Sequence, residues 1–132
     1  MRISVVSLVL IFSLVAGIVH PTHAENPPSD SLKKVLNAAK DDAARFEALL
    51  ELYKLYARED SAMAARYRKQ AGDLAREMDD ELRQARLARQ VSLTHYFSRE
   101  YQKHDSLALS IMDIFKEQGK MELYAHCLNN LG

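Results

Sequence analysis

Residues 41–78 read DDAARFEALLELYKLYAREDSAMAARYRKQAGDLAREM. Phe46, Leu49, Leu50, Tyr53 and Tyr56 recur at three- and four-residue spacing, which places them on one face of an α-helix. Asp60 and Ser61 follow, short polar residues whose side-chain oxygens can accept the orphan amides at a helix start. Ala64, Tyr67, Ala71, Leu74, Ala75 and Met78 then mark a second stripe of the same period. The stretch predicts two helices, over about 41–58 and 60–78, joined by a tight turn.

The same pattern extends in both directions. Upstream, Leu32, Val35, Leu36 and Ala39 predict a short helix over 31–40, with Ser29 or Asp30 as its cap. Downstream, Leu87, Val91, Thr94, Phe97 and Tyr101 predict a helix over about 80–103. Leu107, Ile111, Met112, Ile114 and Phe115 predict another from Asp105-Ser106 to the breaker Gly119. A sixth begins near Met121 and carries Tyr124, Cys127, Leu128 and Leu131. All three prolines (Pro21, Pro27, Pro28) precede Ser29, so nothing after them removes a backbone donor or kinks a helix. Each helix has one apolar stripe and one charged face, and none buries its stripe alone. The fold class is all-α, antiparallel helix–turn–helix units stacked on one another.

Residues 1–24 read as an address. Arg2 supplies a positive start, residues 3–19 carry no charge, and Pro21 leads into Thr22-His23-Ala24, a small-x-small cleavage pattern. Cleavage after Ala24 gives an exported protein, periplasmic or secreted, beginning at Glu25. The competing reading is an uncleaved signal anchor, the only membrane attachment the sequence offers; the run is at the short end of what spans a bilayer. Residues 25–30 read as a polar, proline-containing linker ahead of the helical domain, 31–132.

Composition limits what the domain does. Hydrophobic residues at 48% and charged residues at 27% fit an ordinary globular core and exclude a disordered chain. Eighteen Lys and Arg balance 18 Asp and Glu, so no net field draws in a polyanion, and no nucleic-acid partner is expected. Cys127 is the one cysteine. No intramolecular disulfide can form, stability rests on packing, and Cys127 itself reads as a small buried residue.

An internal repeat is suggested by Tyr56-x-x-x-Asp60-Ser61 and Tyr101-x-x-x-Asp105-Ser106, offset by 45 residues. That offset also pairs Phe46 with Val91 and Leu52 with Phe97. Leu128 to Gly132 aligns with Thr94 to Ser98 at an offset of 34. The difference of 11 residues is about three helical turns. It predicts an extended helix somewhere between Met78 and Arg89. Units of about 41–78 and 80–119, and a partial third over 121–132, follow.

The stretch from Glu51-Leu52 through Tyr56, Asp60, Ala64, Tyr67, Ala71 and Leu74-Ala75 resembles a tetratricopeptide (TPR) unit. Helix A ends in an aromatic and helix B carries small alanines. Ala125 to Gly132, with Leu128-x-x-Leu131-Gly132, is similar to the opening of a TPR helix A. Phe115 to Met121 resembles the end of a helix B. Together these cover about residues 41–132. They are most similar to the exported N-terminal repeat regions of bacterial two-component histidine kinases and regulators. The resemblance implies a short solenoid that binds a peptide or partner protein in a concave groove lined by the A helices. It implies no cofactor. Because the chain stops mid-helix at Leu131-Gly132, it also reads as a truncated extracytoplasmic sensor segment of a larger signal-transduction protein, with further repeats or domains beyond.

The sequence gives little support for chemistry. His20 and His23 lie in the address segment, and His95 and His104 are nine residues apart. No His-x-x-x-His, Glu-x-x-His or Cys-x-x-Cys spacing suggests a metal site. His126 and Cys127 point about 100° apart on a helix and form no nucleophile–base pair. Arg76, Arg83, Arg86 and Arg89 lie among Glu77, Asp79, Asp80 and Glu81 and predict a salt-bridged solvent face, with Asp79–Arg83 as an i, i+4 pair. An enzyme is not expected. By the resemblance, the partner-binding positions are the exposed A-helix residues His95, Arg99, Gln102, Lys103, His126 and Asn129. Phe46, Leu49, Leu52, Val91 and Phe97 are expected in the core.

Overall fold

The structure, a computed structural model, describes residues 28–131. The signal-like segment 1–24 lies outside the described residues. Six helices follow in order: α1 (Pro28–Ala38), α2 (Asp42–Tyr56), α3 (Ser61–Glu77), α4 (Glu81–Phe97), α5 (Tyr101–Glu117) and α6 (Met121–Asn130). The described residues contain no strand, and none of their helices is long and apolar enough to cross a membrane. The all-α expectation holds. Helix α1 starts earlier than expected: Pro28 is its first residue, where a fixed φ and a missing N–H suit a helix. Ser29 and Asp30 therefore sit inside the first turn and do not cap it.

The turns set the array. Asp79 (φ 51°), Arg99 (φ 62°) and Gly119 (φ 67°) are left-handed, and they lie twenty residues apart. Each is followed by a residue whose amide reaches back to the last full turn of the helix. Asp80 donates to the Ala75 carbonyl (3.1 Å), Glu100 to His95 (2.9 Å) and Lys120 to Phe115 (2.7 Å). This is the αL closure that satisfies the orphan carbonyls of a helix end and reverses the chain. The residue completing each closure is also the N-cap of the next helix. Helices α3, α4 and α5 are thereby each 17 residues long. Asp41, Asp60 and Asp80 cap α2, α3 and α4 through side-chain oxygens, Asp41 at 2.7 Å from the Ala44 amide.

The repeat is real, but its period differs from the one suggested by motifs. Equivalent helices start at Asp42 and Glu81, Ser61 and Tyr101, and Glu81 and Met121, spacings of 39, 40 and 40 residues. Tyr56 ends α2, whereas Tyr101 opens α5. Asp105-Ser106 is inside α5, not at a cap. The 45-residue match and the 34-residue match are not structural equivalences. The segment 78–89 holds a turn rather than an extended helix. The expected helix over 80–103 is two helices, because the chain reverses at Ser98-Arg99-Glu100, a turn without glycine or proline to announce it.

Packing proceeds between neighbours: α2 against α3 and α4 against α5 most extensively, then α1 on α2, α6 on α5, and α3 on α4. One core joins Phe46, Leu49, Leu52 and Tyr53 of α2 to Tyr67, Ala71 and Ala75 of α3 and to Leu87 and Val91 of α4. Ala71 and Ala75 are fully buried, and their small size lets α2 and α3 approach closely. A second core joins Ala85 of α4 to Ile111, Met112 and Phe115 of α5 and Cys127 of α6. Phe97, expected in the core, is 67% exposed because α4 ends there and α5 turns away.

The left-handed turns give a direct test. Arg99→Gly should stabilise the fold by up to about 1 kcal/mol, since glycine adopts φ > 0 without the steric penalty of a Cβ. Gly119→Ala should cost about 1 kcal/mol for the converse reason. Both are read from urea midpoints, and equal effects of the same sign would contradict the turn geometry.

Candidate interaction surface

Parallel helices α2 and α4 meet along their C-terminal halves. Tyr53 of α2 and Thr94 of α4 join hydroxyl to hydroxyl at 3.0 Å, and Thr94 also donates to the Gln90 carbonyl. Beside this contact lies a groove of about 750 Å³. Its apolar lining is Leu32 of α1, Leu55 of α2, and Leu93 and Phe97 of α4. Lys54 is tied to Glu51 at 2.8 Å, and the Arg58 guanidinium lies over the Phe97 ring at 5.6 Å. The groove therefore offers an apolar floor and a mixed-charge rim. That combination suits an amphipathic peptide.

Further along α4, Arg86 makes a two-pronged ion pair with Glu47 of α2, at 2.5 and 2.8 Å. Arg83 and Arg86 also sit over the Phe46 ring, at 5.9 and 5.8 Å. Arg83 pairs with Asp80, its own N-cap, and not with Asp79. Arg83, Arg86 and Arg89 are thus half-buried, with Arg86 tying α4 to α2, while Arg76 stays exposed on α3 and pairs with Asp73. The Arg86 guanidinium holds the Glu47 carboxyl below the ordinary carboxylate range against the opposing cost of burial.

Between α4, α5 and α6 lies a polar group that the sequence did not single out. Ser92 and His104 are 1% and 2% exposed. The Ser92 hydroxyl lies 2.7 Å from His104 Nδ1 and donates to the His104 carbonyl at 3.0 Å. His104 Nε2 lies 3.0 Å from the Asn130 carbonyl at the end of α6. By distance alone this is a hydroxyl–imidazole pair, but substrate cannot reach it without opening the α4–α5 hairpin. Its arrangement does something else: it satisfies buried polar atoms of three helices at once and fixes the end of α6. In sequence a serine beside Val91 reads as surface, so only packing exposes its role.

The sequence-predicted binding residues scatter. His95 is in the last turn of α4, half-buried and 2.7 Å from the Glu100 carboxylate. Arg99 is in the turn between α4 and α5, not on a helix. Gln102 and Lys103 open α5, beyond the turn that ends α4, and Lys103 holds Glu100 at 2.5 Å. His95, Gln102 and Lys103 do share one shallow depression with Ser106, Leu107 and Ser110. His126 and Asn129 are exposed on α6, apart from that cluster. None of the six lines the groove between α2 and α4. Cys127 is buried, and burial pushes its thiol up despite the nearby Arg89 guanidinium. No group of His, Cys, Asp or Glu among the described residues could hold a metal ion.

No protein-family model, curated protein or solved structure matches the chain.

The Glu47–Arg86 pair makes stability pH-dependent in a defined direction. A carboxylate whose folded pKa is depressed contributes stability above its unfolded pKa and loses it as pH falls through the folded value. Wild type should exceed Glu47→Gln by about 1 kcal/mol at pH 7, a figure kept small by the pair's solvent exposure. The gap should close below about pH 3, beneath the ordinary carboxylate range. Denaturant titrations at both pH values check this, and a gap that widens in acid would contradict it.

Proposed function

We propose that this chain is an exported, TPR-like interaction scaffold, with α2 and α4 as A helices and α3 and α5 as B helices. A peptide or partner protein docks in the groove at the C-terminal ends of the A helices. The single observation that carries this reading is Phe97, a large aromatic 67% exposed at the edge of an apolar groove. Exposed aromatics beside a concave apolar floor are the usual anchors of recognition surfaces. Leu55 and Leu93 supply the floor, and Lys54, Arg58 and Glu59 can meet a peptide's polar groups. The helix-pair spacing of 39–40 residues exceeds the 34 of a TPR, so the likeness is one of architecture rather than of period.

The test is a random-peptide display selection on the purified protein. Selected peptides should bind Phe97→Ala at least tenfold more weakly, the scale on which truncating an aromatic anchor acts. Peptides that bind wild type and Phe97→Ala equally would remove the groove from consideration.

Export is tested separately. A C-terminally tagged chain expressed in a bacterial host should be recovered outside the cytoplasm with Glu25 as its first residue. A full-length chain held in the membrane fraction would favour the anchor instead.

A further inference from the structure

A second surface runs along a different face of α4. Helices α3 and α5 both pack on α4, and between them runs the α4 stripe Gln84, Ala88, Val91 and His95, in which Gln84 is exposed, Ala88 and His95 are half-buried and Val91 lies at the buried base. Two depressions of about 530 and 500 Å³ line this stripe and share Leu107 of α5 as a common wall. They form one trough from Gln84 to His95. That is 11 residue steps, about 16 Å or three helical turns. It shares no residue with the groove between α2 and α4.

The trough has an ordered chemistry. Its floor is apolar along the first depression, formed by Leu87, Ala88, Val91 and Leu107, and turns polar along the second, where His95, Gln102, Ser106 and Ser110 join Leu107. Its rim on the α3 side is basic: Arg68, Lys69 and Arg76. Asp73 alone answers two of these, accepting from Lys69 at 2.6 Å and from Arg76. Arg68 pairs with no carboxylate among the described residues. Three cations against one anion leave this rim with a surplus of two positive charges, in a chain that is neutral as a whole. At the far end Lys103 adds a further cation, itself paired to Glu100. Gly72 stands in the middle of the α3 wall. Nothing in the packing demands it there, because an added Cβ would meet its neighbours only at 3.5 Å, ordinary contact distance. A helix-interior glycine costs about 0.5–1 kcal/mol relative to alanine. Here its effect is to keep the trough wide.

We infer that the trough between α3 and α5 is a second docking surface, whose occupant is an acidic amphipathic helix of a partner protein. Three turns of helix match the trough's length. Leucine-type side chains at i, i+3, i+4 and i+7 meet the apolar floor, and glutamates on the flank meet Arg68, Lys69 and Arg76. Charge complementarity at such a rim sets both partner choice and salt dependence.

The probe is a fluorescein-labelled 15-residue helical peptide with leucines on one face and glutamates on both flanks. Two control peptides carry lysines in place of the glutamates, or serines in place of the leucines. Anisotropy with the full chain should show binding of the first peptide only, weakening as salt rises. Arg68→Glu, at an exposed position on the rim, should weaken binding about tenfold by turning attraction into repulsion. Gly72→Leu should abolish binding by filling the trough while leaving the helical spectrum and unfolding midpoint at or above wild type. Phe97→Ala should leave binding unchanged. Equal binding of the lysine peptide or of the serine peptide would overturn the proposal, the latter reducing the surface to a diffuse positive field. Loss of binding in Phe97→Ala but not in Arg68→Glu would assign the peptide to the other groove and overturn it as well. A dimer that dissociates on Arg68→Glu would do the same, making the occupant a second copy of this chain.

Discussion

Three left-handed residues, Asp79, Arg99 and Gly119, keep the array in register. At each one a helix end closes on itself through an amide that reaches back five residues, and the chain leaves in the opposite direction. Because the same closure recurs every twenty residues, successive helices have equal length and present their stripes at matching heights. Antiparallel neighbours then bury those stripes without any long connection. A right-handed residue at any of these three positions would lose that closure and its satisfied helix-end carbonyl.

Helix α4 shows what this regularity does to an individual element. Leu87 and Val91 face the core shared with α2 and α3, while Ala85 faces the core shared with α5 and α6. A helix covered on two sides has little apolar surface left to pattern, and it is held by polar ties instead. Glu47–Arg86 and Tyr53–Thr94 bind it to α2, and Ser92–His104 binds it to α5. Each tie is interhelical and lies partly or wholly out of water, where a satisfied polar pair fixes one packing arrangement and a broken one is costly. The faces of α4 left uncovered are where both surfaces lie: Leu93 and Phe97 on one, Gln84 and Ala88 on the other.

Much of this was legible in the sequence. The stripes of α3 and the second half of α5 mark most of their buried residues, because each of these helices is covered mainly along one line and the 3.6-residue period marks that line, whereas α2, packed by α1, α3 and α4, also buries Ala48 off its stripe. Asp60 was legible as a cap, and Gly119 as a stop, because both act through local geometry. Helix α4 was read less well. Phe97 continues its apolar period and still points to solvent, and Ser92 breaks the period and is buried. The turn at Arg99 was missed because arginine is not a turn residue; it is held left-handed by closure bonds and by the packing of Tyr96 against Phe97, Tyr101 and His104. The binding positions chosen from an uninterrupted helix over 80–103 fell on two helices and a turn for the same reason.

The sequence by itself determined that this protein is all-helical, that its helices are amphipathic and too short to stand alone, and that Asp60 caps one of them. These are local matters of period, propensity and side-chain reach, and a few neighbouring residues decide them. Only the tertiary structure decided the twenty-residue register, the two-sided burial of α4 and which of its faces stay open. Those depend on which helices meet across forty residues of chain, and a contact between distant residues leaves no mark on the sequence period of either one.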